Sequence, residues 1–176
     1  AEVLALYPAE DVDASMLATL RDGIYGWATE RIVRKETEAG QQAFMYVFDY
    51  CYPSAREADL CAFHASELPF VFGALAPERL SVNWPVPDGQ QDREISNALL
   101  DYWTSFAATG QPESDHGPTW PAYGSAESYL DIGPELDVRN DPFPGMFELH
   151  EELVRERKAA GEPWFLNIGL GAPPLE

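Results

Sequence analysis

At 176 residues, 45% of them hydrophobic and 12% aromatic, the chain can bury a core and is too apolar for a disordered segment. Thirty acidic residues against 11 basic ones give a formal charge of -19, which excludes nucleic acid and anionic membrane surfaces as partners, because like charges repel. Apolar runs are short and broken by charge or proline, so no stretch reads as a membrane span.

The chain starts at Ala1 in mid-pattern, without an initiator Met or a signal segment, as expected of a cut inside a longer protein. Residues 11–38 read as a helix or a broken pair of helices. Val12, Met16, Leu20, Ile24, Trp27 and Ile32 form one apolar stripe, with Asp11 or Asp13 as cap, Gly23 and Gly26 as kinks and Gly40 as stop. Residues 43–50 alternate Phe44, Tyr46, Phe48 and Tyr50 on one face with Met45 and Val47 on the other. A strand apolar on both faces belongs in the middle of a covered sheet, an α/β signature.

Residues 52–67 read as a loop rich in small and acidic residues, 68–75 as a short apolar segment, and 76–91, with Pro77, Pro85 and Pro87, as irregular chain. The clearest helix spans 92–109, with Ile95, Leu99, Tyr102, Trp103 and Phe106 on one face, Asp92 at its start and Gly110 at its stop. Residues 128–132 (Ser-Tyr-Leu-Asp-Ile) predict a short edge strand. Residues 147–161 predict a helix whose Glu151 and Arg155, four apart, suit a solvated face. Two or three strands are few for the sheet that 43–50 demands, so the expected fold class is α/β with an incomplete central sheet.

Two cysteines, Cys51 and Cys61, are too few for a disulfide scaffold, and the sequence leaves open whether they are bonded. Of the three histidines, His150 reads as a surface side chain of a charged helix. His116, before Gly117, resembles an oxyanion-type turn but lacks the strand that should lead into it. His64 lies a loop beyond the buried strand, among Ala62, Ala65 and Ser66, where an imidazole has room at a cleft. It is the candidate functional histidine, with a satisfied structural histidine as the alternative. No histidine or cysteine pair at metal spacing surrounds it.

The segment Cys-Ala-Phe-His-Ala-Ser-Glu-Leu-Pro-Phe-Val-Phe-Gly, residues 61–73, resembles the histidine motif of the type-B carboxylesterases, which include cholinesterases and bacterial para-nitrobenzyl esterases. Phe-Met-Tyr-Val-Phe-Asp-Tyr (44–50) is similar to the strand upstream of that motif. The segments 98–113 and 119–133 are similar to its later helix and Trp-Pro-x-Tyr strand region, and 146–164 to the tail of bacterial members. The resemblance implies that residues 1–176 are one C-terminal segment of an α/β-hydrolase domain.

The resemblance also implies a Ser-Glu/Asp-His triad in which His64 is the general acid/base, Glu67 supports it from behind, and serine and acid precede Ala1. For Glu67 a plain structural hydrogen bond is the alternative. Cys61 and Ala65 stand where the family often has glycine, and no Gly-x-Ser-x-Gly occurs in the chain. The implied partners are a small carboxylic ester and the rest of the enzyme, with homodimerisation of the isolated chain through exposed apolar surface. No cofactor or metal is implied. Phe63, Phe70 and Phe72 are candidates for substrate contact, with packing as the alternative. Two other readings are a non-catalytic adhesion-type relative and a self-contained acidic binding domain.

Overall fold

A computed structural model describes residues 2–161, so the Glu162-Pro163-Trp164 end of the tail motif lies outside the described residues. The chain divides into two compact units, one drawn from its two ends, up to Gln41 and from Phe143 onward, the other running from Gln42 to Pro142.

In the first unit, α1 (Glu2–Leu6) precedes α2 (Val12–Arg21), a π-type turn (Asp22–Gly26) and α3 (Trp27–Glu38), against which α7 (Met146–Ala159) packs. The Asp11 carboxylate caps α2 by accepting from Ala14 N–H at 3.0 Å. At the two expected glycine kinks the helix widens by one residue: the Trp27 N–H reaches back to the Asp22 carbonyl. That extra residue rotates the helix phase, and the face buried within the unit becomes Asp22, Gly26, Glu30 and Val33. The expected apolar stripe is therefore not the packed face. Val12, Met16, Leu20 and Ile32 are exposed. Polar residues fill the buried face because each is met locally: Glu30 by Arg34 at 2.7 Å and Asp22 by Arg21 at 2.6 Å. Gly26 gives Met146 room to approach.

In α7 Glu151 and Arg155 lie on a solvated face, as expected, each with its own partner: Arg155 pairs with Glu152, and Glu151 accepts from the Trp27 indole at 2.9 Å. His150 is half-buried rather than on the surface. Its Nε2 lies 2.9 Å from the Tyr7 hydroxyl, which donates to the Asp22 carboxylate at 3.0 Å. Burial and the Asp22 charge push the Tyr7 hydroxyl up to about 12.

Burial also lowers the His150 pKa from 6.5, against the opposing pull of Asp22. A histidine lowered in the fold costs stability as pH falls from 6.5 through its folded value, and costs nothing above. Thermal melts from pH 7.5 down to 5.5 should therefore show a decline that His150→Gln makes shallower; parallel curves would exclude this histidine as the cause.

The second unit carries β1 (Tyr46–Phe48), α4 (Pro53–Glu57), α5 (Leu68–Val71), a single 3-10 turn (Pro77–Arg79), α6 (Gln90–Thr109), β2 (Ser128–Ile132) and β3 (Leu136–Asn140). Strand β1 runs parallel to β2 with Tyr46 opposite Leu130, and β2 pairs antiparallel with β3. Parallel pairing demands a crossover, and α6 supplies its length. The aromatic face of β1 meets α6 and Trp120 edge to face, as in Tyr46–Trp103 at 5.2 Å and Phe44–Trp120 at 6.1 Å.

Among these three strands β2 lies in the middle, and β1 pairs on one side only among the described residues, which leaves its other edge open to strands from outside this chain. One expectation changes here. Strand 128–132, expected at an edge, is buried along its whole length. Its polar residues disguised this: Ser128 donates to Asn140 at 3.0 Å, and Asp131, its pKa raised by burial, meets Arg139 at 3.0 Å.

Helix α6 begins two residues before Asp92, which caps it from inside the first turn. Gly89 is the N-cap, and the Asp92 carboxylate accepts its N–H at 2.8 Å. Gly110 ends the helix in the left-handed conformation, φ +79°. Ile95, Leu99 and Tyr102 are buried, while Trp103 is only partly covered and Phe106 is exposed.

Candidate active-site turn

Beyond the carboxyl end of β1 the chain is pinned. Tyr50 is buried and donates to Asp92 at 2.6 Å, which raises its pKa well above the ordinary value, with burial the larger cause. Tyr52 is fully buried. Pro53 at the first helical position starts the short helix α4, which sequence reading took as loop although proline there is a helix-start signal. Cys51 and Cys61 form a disulfide, which settles the question left open above and closes the loop that carries α4.

Cys61 opens a tight turn that holds His64, and α5 follows at Leu68. Two alanines flank the histidine in the left-handed region, Ala62 at φ +45° and Ala65 at φ +69°. Left-handed backbone is disfavoured for a residue with a Cβ by about 1–2 kcal/mol. Such strain collects at functional sites, where surrounding structure holds it in place. One of these, Ala65, is a position where glycine was expected, so the turn keeps the glycine conformation without the glycine. Ala65→Gly should therefore stabilise the fold by about 0.5–1 kcal/mol, the relief of strain minus the greater freedom of an unfolded glycine. A rise in the urea midpoint checks this; a fall would mean that the alanine methyl packs better than it strains.

His64 itself is exposed, whereas Ser66 two residues on is buried. Glu67 is half-buried at the start of α5. Burial first, then the Glu67 charge, raises the Tyr46 pKa. The three phenylalanines separate. Phe70 is fully buried core, Phe63 stacks on Trp84 with centroids 4.8 Å apart, and Phe72 is 71% exposed. Phe72 lines a groove of about 210 Å³ with Leu68, Leu80 and Trp84. Of the three, Phe72 is the exposed one.

The other candidates lie elsewhere. His116 is exposed, 3.9 Å from Asp101, and is reached from α6 rather than from a strand. Gly117 has a packing reason instead: a Cβ there would strike the Tyr102 hydroxyl, which donates to the Pro118 carbonyl. Among the described residues no group of three or more His, Cys, Asp or Glu side chains could hold a metal ion.

The carboxylesterase family model matches residues 8–148, a span that includes the His64 turn and the whole sheet. The chain belongs to the carboxylesterase family. It is 31% identical to carboxylesterase 1D of Rattus norvegicus over 147 residues, 81% of this chain and 24% of the relative. It is 33% identical to carboxylesterase 5A of Canis lupus familiaris over 110 residues, 60% of this chain and 19% of the relative. A Geobacillus stearothermophilus carboxylesterase crystal structure superposes with a TM-score of 0.65 at 29% identity, covering 85% of this chain and 31% of that one. The fold is thus part of an α/β hydrolase, and the chain spans only about a fifth to a third of these relatives' lengths.

Proposed function

We propose that this chain is the histidine-bearing, C-terminal part of a serine carboxylesterase, a single segment of one α/β-hydrolase domain. The observation that carries the reading is the exposed His64, held between two left-handed alanines beyond the carboxyl end of a parallel strand. In open α/β sheets, ligands bind outside the carboxyl ends of the strands. The β1 edge that lacks a partner among the described residues, and the exposed Met16, Leu17 and Leu20 of α2, are the faces the remainder of the enzyme covers. Copies of the isolated chain would pair through the same faces.

In the proposed chemistry a serine from outside this chain attacks the ester carbonyl. His64 takes the serine proton as the new C–O bond forms, then returns it to the departing alcohol as the old C–O bond breaks. Water, deprotonated by the same imidazole, releases the acid and restores the serine. An acidic residue, also from outside the chain, holds the imidazole in its working tautomer, and Glu67 fixes the turn from behind.

Labelling by a fluorophosphonate probe tests this. The full-length protein should be labelled on one serine outside residues 1–176, and His64→Gln should slow the labelling sharply. Labelling at an equal rate in the variant would remove His64 from the reaction.

A further inference from the structure

We infer that the Cys51–Cys61 disulfide is a positioning device for His64, so that breaking it lowers the turnover of the whole enzyme while leaving substrate binding almost unchanged. The inference rests on the esterase reading above.

The His64 turn is held unequally on its two sides. Downstream, Ser66 N–H bonds the Phe63 carbonyl at 2.9 Å and Leu68 N–H bonds Ala65 at 3.1 Å. Helix α5 follows at once, with Phe70 fully buried and its carbonyl accepting from the Ser96 hydroxyl of α6 at 2.8 Å. Upstream, residues 56–61, from the last turn of the five-residue α4 onward, are all exposed. Their backbone ties are short-range only: Ala58 N–H to the Ser54 carbonyl at 3.2 Å, Asp59 N–H to Arg56 at 3.1 Å and Leu60 N–H to Ala55 at 2.9 Å. An exposed segment of this kind opens locally at little cost.

The disulfide crosses this weak stretch. Cys61, its exposed end, is bonded to Cys51, which lies between buried Tyr50 and fully buried Tyr52. Tyr50 is tied in turn to α6 through Asp92, and the neighbouring Asp49 N–H to β2 at Ile132. The last anchored atom before Ala62 is thus the Cys61 sulfur, and beyond Ala62 the chain is held again by Phe63 on Trp84. Ala62 itself is in the left-handed region. A conformation an L-residue avoids persists only while both ends of the segment are fixed. With the bond broken, Ala62 is free to return to the right-handed or extended region, and His64, two residues on, moves with it. A shift of about 1 Å in a reacting group can cost on the order of a hundredfold in rate.

The bond is open to chemistry, because Cys61 is exposed. A dithiol reductant delivers two electrons and two protons, giving thiols at Cys51 and Cys61 and itself closing to a disulfide.

The test is made on the full-length enzyme with para-nitrophenyl butyrate, well below the melting temperature. Oxidised, dithiothreitol-reduced and reoxidised enzyme are compared with the paired Cys51→Ser, Cys61→Ser variant. Alkylation and mass spectrometry confirm the state of both cysteines, and circular dichroism gives the folded fraction. The expected result is a kcat lowered at least about tenfold with KM within about twofold, recovered on reoxidation. The acid limb of the kcat–pH profile should also move. Partial unfolding would scale that profile without moving it, so the limb separates positioning from mere loss of fold. If the paired variant does not fold, the reduced natural enzyme carries the test alone.

Full kcat in the reduced enzyme, or a loss that only tracks the folded fraction with the limb unmoved, overturns the inference. The oxidised His64→Gln enzyme assigns the failure. If it is dead, the esterase reading stands without the disulfide's role. If it turns over normally, both fall together.

Discussion

Replacing His64 with glutamine in the full-length enzyme should lower kcat on para-nitrophenyl butyrate by roughly 10⁴- to 10⁶-fold, the range seen when a triad base is removed. Glutamine keeps the bulk and a hydrogen-bonding amide but cannot accept a proton near neutral pH. The side chain is exposed, so its replacement removes no core contact and the melting temperature should hold. That separation makes the variant informative, since activity is lost and stability is not. KM should change little, because proton transfer is felt in the transition state rather than in substrate binding. A loss below about a hundredfold would mean that another group serves as the base.

The largest stability effect should come from a residue that never meets the substrate. Asp92 is buried, and its carboxylate accepts from both the Tyr50 hydroxyl at 2.6 Å and the Gly89 N–H at 2.8 Å. It therefore caps α6 and ties that helix to the chain leaving β1. Asp92→Ala removes the cap, worth about 1 kcal/mol, and strands the buried Tyr50 hydroxyl, at a further 1–3 kcal/mol or so. Together these predict a loss of about 2–4 kcal/mol, or a melting temperature lower by roughly 5–15 °C for a domain of this size. Asp92→Asn keeps an acceptor for one partner and should lose less. Because Tyr50 adjoins Cys51, the alanine variant should also loosen the His64 turn. Equal melting of variant and natural protein would show that α6 is held by its apolar face alone.

Much of this architecture could be read from the residues. The period of Ile95, Leu99 and Tyr102 marked α6, and the Phe44–Tyr50 alternation marked the strand that leads to the site. Where reading failed, tertiary context had overridden a local signal. The stripe from Val12 to Ile32 is apolar and helical in period, yet the π-type turn at Asp22–Gly26 changes the phase and local ion pairs let Asp22 and Glu30 take the buried face. Ser128 and Asp131 made a central strand look like an edge because their partners, Asn140 and Arg139, sit on a strand that was not foreseen. That strand, β3, did carry a signal: Gly133-Pro134-Glu135 is a short turn between two alternating runs.

The site was legible in a different way. Loop position and small neighbours ranked His64 above His116 and His150, and the motif around it supplied its role. Composition could not show that Ala65 would adopt a glycine's conformation, nor that Cys51 and Cys61 would meet. Both depend on the path of a loop whose shape is set by tyrosines buried elsewhere in the unit.

The most direct test of the account is hydrolysis of para-nitrophenyl acetate and butyrate by the 176-residue chain alone and by the full-length protein. The account predicts a silent chain, because one triad member without a nucleophile forms no acyl-enzyme, and an active full-length enzyme that depends on His64. Turnover by the chain alone that survives His64→Gln would contradict the assigned chemistry. A full-length protein inactive on these and longer esters would contradict the esterase reading and leave a non-catalytic, adhesion-type relative in its place.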